Sequence, residues 1–365
     1  MRSPVANMSL LCFLAAVSLS CNAKEPVAMF RSDQSRSGVC DTSGPRVLDR
    51  LEWRFQSGGE VSSTPAVAEG SVYFGSWNGS LYSIDAGTGS ENWEFRTDGK
   101  ISSSPAVSAG TVVFGNWDGF VYALSATTGE LLWKLRTEKE VVASPLISDG
   151  VVYSCGFDGY LRALDLLTGQ VKWRFSAGTE IFSSPSLADG IIYFGCLGSA
   201  LYAVNISTSQ LVWRHDAGHE VFSTPAVSGG VVYFGSYNGG FTALDALTGT
   251  LKWSVDLQGG VVGSPAVNGG TVFIGTRDGR LLALDASNGN QKWSHSTDGE
   301  IVGSPAVSGE TVYITSLDGN LYTLDSASGE LLWTFTTDMP ISSSPVVAAG
   351  RVVFGCLDGA VYTLM

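Results

Sequence analysis

One tryptophan recurs every forty residues along most of this chain. Trp53, Trp93, Trp133, Trp173, Trp213, Trp253, Trp293 and Trp333 keep that spacing without slippage, and so do Pro65, Pro105, Pro145, Pro185, Pro225, Pro265, Pro305 and Pro345. Gly79, Gly119, Gly159, Gly239, Gly279, Gly319 and Gly359 hold the same beat, which only Ser199 breaks. A fixed period of this length means one supersecondary unit copied many times, each unit burying its apolar faces only against its neighbours.

Each unit reads as four short strands. In the first, Val61 to Val67, Ser71 to Ser76, Ser80 to Asp85 and Ser90 to Arg96 are separated by Glu69-Gly70, Asn78-Gly79 and Thr88-Gly89. Asn-Gly and Asp-Gly pairs suit hairpin turns that need positive φ, which accounts for a glycine content of 45 residues in 365. The second and third strands are apolar on both faces, so each sheet needs a sheet packed on either side. Eight four-stranded antiparallel sheets arranged radially satisfy that for every unit, so the expected fold is an all-β, eight-bladed β-propeller. The proline column belongs at the innermost strand, whose free edge faces the central channel and has no use for a further donor.

Counted from Trp53, the eighth unit lacks its last strand at Met365, while Leu51 to Phe55 stands alone at the front. This strand is expected to pair with Ala360 to Leu364, so that blade eight is built from both chain ends. The tryptophan column is read as structural, one side chain at each blade interface; truncating such a buried aromatic typically costs ~3–5 kcal/mol.

The first residues differ from the rest. Arg2, the apolar run Ser9 to Leu19 and the small residues that follow read as a secretory signal over residues 1–23. It is too short for a membrane-spanning helix, which needs ~20 apolar residues. Two cleavage readings stand: an ordinary signal peptidase site ending at Ala23, or a lipobox ending before Cys21, which would make Cys21 a lipidated N-terminus. Residues 24–49 form an arm and 50–365 the propeller. The protein is thus expected to be exported: periplasmic or anchored to the outer membrane as a lipoprotein if bacterial, otherwise extracellular, and monomeric. A net charge of −13 disfavours nucleic acid as a partner.

The phrase Ala163, Asp165, Thr168, Gly169, Trp173, repeated in Ala243, Asp245, Thr248, Gly249, Trp253, resembles the tryptophan-docking motif of the pyrroloquinoline-quinone (PQQ)-type propeller repeat. The resemblance runs from about Leu51 to Met365. It includes both quinoprotein dehydrogenases and the non-catalytic outer-membrane assembly lipoproteins of the BamB type. Phe30, Arg31, Ser32, Asp33 and Gly38 look like the lead-in segment of such propellers. Membership of the enzyme branch would imply PQQ, a calcium ion held by carboxylates and amides, an aspartate base and often adjacent cysteines. The strict period leaves no room for a pocket-building insertion, and no Cys-Cys pair occurs. No catalytic residue and no metal site is assigned; His215 and His219 lack a third ligand. Of the cysteines, Cys40 and Cys356 are the one expected disulfide.

Two columns fall on one face of the ring. The first, Glu60, Lys100, Glu140, Glu180, Glu220, Gly260, Glu300 and Pro340, starts the innermost strands. Its five glutamates form a ring of like charge around the channel mouth that attracts cations or basic peptides. The second, in the neighbouring hairpin, includes Trp77, Trp117, Phe157 and Tyr237, an aromatic arc of the kind favoured at binding hot spots. The expected function is a binding or scaffold propeller that engages a protein or peptide, in envelope assembly if the BamB resemblance holds. A PQQ-dependent dehydrogenase and a generic secreted ligand-binding module are the alternatives.

Overall fold

The computed structural model describes residues 28–40 and 44–365. The candidate signal segment and Cys21 lie outside them. The propeller has eight four-stranded antiparallel sheets. Blade one comprises Ala66–Ala68, Ser71–Gly75, Ser80–Asp85 and Glu91–Arg96, from channel to periphery. Blade eight takes Val346–Ala348, Arg351–Gly355 and Ala360–Leu364 from the C-terminus and Leu51–Gln56 from the front of the propeller. The closing pair runs from Leu51 opposite Leu364 to Gln56 opposite Ala360, as the repeat arithmetic requires.

The apolar cores lie between blades. Trp53, Val353 and Val361 of blade eight, for example, pack with Val72, Phe74, Tyr82 and Ile84 of blade one. Each tryptophan stands beside a register shift between the two outer strands, such as that between Ser83 and Ile84 opposite Trp93. A bulge there adds local twist. The indole reaches the corner of the next blade: Trp93 Nε1 donates to Ala126 O at 3.0 Å, and Trp53, Trp133, Trp213, Trp253 and Trp293 repeat the bond at their own corners. Glycine fills that corner in six blades, and Ser209 does so in blade four. Gly129 has φ +73°, and a Cβ there would lie 2.7 Å from the Trp93 ring.

The innermost strands are shorter than the sequence suggests: Ala66–Ala68 in place of Val61 to Val67. Pro65 and its equivalents precede the strand, and the stretch before them is joined tangentially instead. The Thr64 N–H donates to Ser104 Oγ, Ser104 N–H to Ser144 Oγ, and so on around the channel, until Ser344 N–H donates to Thr64 Oγ1. Eight such bonds of 2.9–3.3 Å close an inner ring.

The arm pairs with the free inner edges of five blades, which proline alone does not achieve. Residues 28–40 run across successive blades. Leu187, Val227, Val267 and Val307 donate their N–H groups to the carbonyls of Gln34, Ser35, Ser37 and Gly38 at 2.7–2.9 Å, and Val107 exchanges two bonds with Ala28. Two arginines in this segment are fully buried and tied to the proline column. Arg36 donates to the carbonyls of Pro185, Pro145 and Phe30, and Arg31 to those of Ser264, Pro265 and Pro305. Burial pushes their pKa values down to about 9 and about 10, opposed by the charge of Asp33, so both remain cations at neutral pH.

The expected Cys40–Cys356 disulfide is not formed. Both residues border the core between blades seven and eight, but at opposite ends of it. Cys40 N–H donates to Val307 O beneath the channel, whereas the Cys356 thiol points to the carbonyls of Met339 and Pro340 near the mouth. A strand of blade eight, Arg351–Gly355, separates the two levels.

Candidate binding face

The two columns form one rim. In every blade the backbone N–H of the hairpin residue donates to the carbonyl of the residue that opens the segment leading into the innermost strand: Trp77 to Glu60, Trp117 to Lys100, Phe157 to Glu140, Tyr237 to Glu220, at 2.9–3.0 Å. The same bond joins Leu197 to Glu180, Arg277 to Gly260, Leu317 to Glu300 and Leu357 to Pro340. Each hairpin tip is thereby held over the start of that segment, which fixes aromatic and charged side chains side by side.

The aromatic arc is continuous from blade two to blade five, but through residues that the hairpin column does not contain. Ring centroids step from Trp117 to Phe157 (6.2 Å), Phe157 to Phe182 (6.0 Å), Phe182 to Phe222 (5.1 Å) and Phe222 to Tyr237 (5.2 Å). Phe182 and Phe222 stand two residues after Glu180 and Glu220, on the channel wall. Their column, Ser62, Ser102, Val142, Phe182, Phe222, Val262, Val302 and Ser342, obeys the forty-residue period and was open to inspection in the sequence. Trp77 is outside this chain of contacts. Its Nε1 donates to Ser62 Oγ at 2.8 Å, as Trp117 Nε1 does to Ser102 Oγ, and Lys100 Nζ sits 4.0 Å from its ring centroid, a cation–π contact. Trp117 and Tyr237 are the most open members, each just over 40% exposed.

The acidic ring is partly neutralised. Lys139 Nζ lies 2.9 Å from Glu180 and holds its carboxyl below the usual range. Arg277 donates to Glu300 at 2.9 and 3.2 Å and to the Tyr237 hydroxyl at 2.6 Å. The contact of Glu220 with His219 is long, at 4.0 Å. Among the described residues Glu60 and Glu140 enter no ion pair, so three of the five glutamates keep their charge for an incoming group.

Inside the rim the channel is a blind well of about 250 Å³. Phe30 of the arm forms its floor, with the Arg36 guanidinium 5.5 Å from the ring centroid. The wall is two-sided: Val142, Phe182, Phe222, Val262 and Val302 on blades three to seven, and serines 62, 102 and 342 on blades eight, one and two. The lining holds no carboxylate, amide, histidine or cysteine, and no group of three such metal-ligating side chains occurs among the described residues. A quinone with calcium does not fit this lining. His215 is half-buried against Phe234, and burial pushes its pKa down.

A family model described as outer membrane protein assembly factor BamB matches residues 48–101, 78–219, 200–303 and 297–364. The chain belongs to this family. Among solved structures, BamB from Moraxella catarrhalis aligns with a TM-score of 0.75 at 19% identity, covering 87% of this chain and 100% of that one. The computationally designed Ika8 protein gives 0.77 at 22% identity, with 86% and 99% covered. Quinohemoprotein alcohol dehydrogenase from Comamonas testosteroni gives 0.78 at 17%, with 92% and 80% covered. At such identities the likeness is one of fold, shared by a BamB-family propeller and by enzymes alike. No curated protein sequence gives a match. No helix among the described residues is long and apolar enough to cross a membrane.

Proposed function

We propose that this chain is a non-catalytic, exported binding propeller with a role in outer-membrane protein assembly, and that the channel-mouth face is where it meets a protein or peptide partner. Family membership supports the role. The observation that carries the choice of face is the unbroken run of five aromatic rings from Trp117 to Tyr237, beside glutamates left without a counter-charge. Binding hot spots are enriched in tryptophan and tyrosine, and the few residues that dominate an interface cost ~2 kcal/mol or more on truncation. The Cys21 reading would tether the protein to the outer membrane by its N-terminus, and mass spectrometry of the mature N-terminus decides between the two cleavage sites.

The test is affinity capture from envelope extract with the wild-type chain and with Trp117→Ala/Phe157→Ala. The reading expects specific partners to be retained by the first and lost by the second; identical partner sets would refute the face. A quinoprotein enzyme is the competing reading, supported by likeness of fold to the alcohol dehydrogenase. Dye reduction on adding PQQ and calcium to the purified chain would favour it.

A further inference from the structure

The well at the centre of the mouth face is more specific than a general docking surface. We infer that it receives a single aromatic side chain from a partner segment that carries lysine or arginine next to that residue. The inference rests on the reading of the mouth face as the partner's site.

Four features select this occupant. The arm crosses the channel beneath the mouth and places Phe30 at the base of the well, so an occupant enters from the mouth side. At about 250 Å³ it lies below the ~300–1,000 Å³ of sites that enclose whole small-molecule ligands. Its apolar wall includes Phe182 and Phe222, set edge-to-face at 67°, with Phe30 below. A further ring entering here meets both faces and edges, the geometry that aromatic groups prefer. Around the opening Glu60, Glu140 and Glu220 supply negative charge on alternate blades; Lys139 and Arg277 are occupied by Glu180 and Glu300, and Lys100, between Glu60 and Glu140, lies over the Trp77 ring. An acidic neighbour on the incoming segment would be repelled; a basic one would be steered in and held.

The period of the fold supplies a clean perturbation. Phe182 and Phe222 occupy the column to which Ser342 and Val302 also belong. Ser342→Phe therefore introduces a side chain that two other blades already carry at the equivalent position, and it fills the well without changing any residue of the Trp117–Tyr237 arc. Val302→Phe is a second filling variant on another blade should the first fail to fold.

The experiment is fluorescence polarisation with dye-labelled, end-blocked peptides containing Lys-Phe-Lys, Lys-Ala-Lys or Glu-Phe-Glu in a glycine-serine frame. The expected result is that wild type binds Lys-Phe-Lys at least tenfold more tightly than either control, and that a folded filling variant loses at least tenfold for that peptide alone. Equal binding of the three peptides, no binding of Lys-Phe-Lys up to millimolar concentration, or indifference to well filling would each overturn the inference. Envelope partners that are still lost on Trp117→Ala/Phe157→Ala would then leave the mouth-face reading standing. Partners unaffected by that double change would remove the face itself.

Discussion

Gly129→Ala should destabilise the propeller by far more than Gly110→Ala, although the two glycines share a blade and nearly the same backbone. Their φ values are +73° and +68°. An alanine at either position pays for the left-handed conformation, ~1–2 kcal/mol, and recovers ~0.4–1 kcal/mol from a less flexible unfolded chain. The net cost at Gly110, where a Cβ meets nothing within 4 Å, is therefore about 1 kcal/mol. At Gly129 the Cβ would sit 2.7 Å from Cδ2 and 2.8 Å from Cε3 of Trp93. The indole must shift, which strains its 3.0 Å bond to Ala126 O and adds an overpacking term of ~1–3 kcal/mol. The expected totals are about 1 kcal/mol for Gly110→Ala and about 2–4 kcal/mol for Gly129→Ala. Urea unfolding followed by far-ultraviolet circular dichroism measures both, since a change in midpoint at constant slope reports stability. Trp93→Leu provides the cycle: in that background the excess cost at Gly129 should shrink toward zero. Equal losses at the two glycines, or an excess that survives without the indole, would refute tryptophan docking as the bond between blades.

Blade four has Ser209 at the equivalent position, with φ +56°; Ser209→Gly should add about 1 kcal/mol of stability, read as a higher urea midpoint. Arg36→Met removes the donors to the Pro145, Pro185 and Phe30 carbonyls, two of them in buried bonds, and at ~1–3 kcal/mol for each buried acceptor left unpaired should lower the thermal midpoint by the equivalent of ~2–6 kcal/mol, whereas a surface arginine such as Arg96 changed in the same way should be nearly neutral. Deleting residues 50–56 leaves Ala360–Leu364 as an exposed edge; size-exclusion chromatography should then show an expanded or self-associated species, and an unchanged elution volume would count against closure by the N-terminal strand. The corner carboxylates Asp85, Asp245 and Asp325 are held below their ordinary value of 3.8, by the Thr88 hydroxyl in the first case and by the N–H groups of Thr248 and Ser328 in the others. Because the folded values lie below the unfolded ones, these bonds add stability above about pH 4 and lose it as pH falls further; acid titration of the unfolding midpoint should show that loss, and Thr88→Val should diminish it.

The fold was legible to an unusual depth because the repeat imposes its own arithmetic. The count of blades, the tryptophan at each interface and the pairing of Leu51–Gln56 with the C-terminal strand all follow from a period that does not slip. The rim was legible too, since antiparallel connectivity puts residue 60 and residue 77 of each unit at the same end of the sheet. Phe182 and Phe222 keep the period too, but the other six blades carry serine or valine in their column, so only the closed ring shows that the two rings join Phe157 to Tyr237. The disulfide misjudgement has another origin: Cys40 lies in a segment without repeat or alternation, so nothing in it announces its depth in the channel.

By itself the sequence determined everything that repeats. Turn glycines, strand alternation and docking tryptophans are local signals, and forty residues carry all the information one blade needs. Tertiary structure decided what does not repeat. The arm's partners are backbone N–H groups and proline carbonyls, which every residue or every blade supplies alike, so only the assembled ring shows which ones lie within reach. The pairing of Lys139 with Glu180 across two blades, the floor that Phe30 gives the channel and the joining of five separate rings into one arc have the same cause. Each depends on distances between residues far apart in the chain, and those distances exist only once the circle is closed.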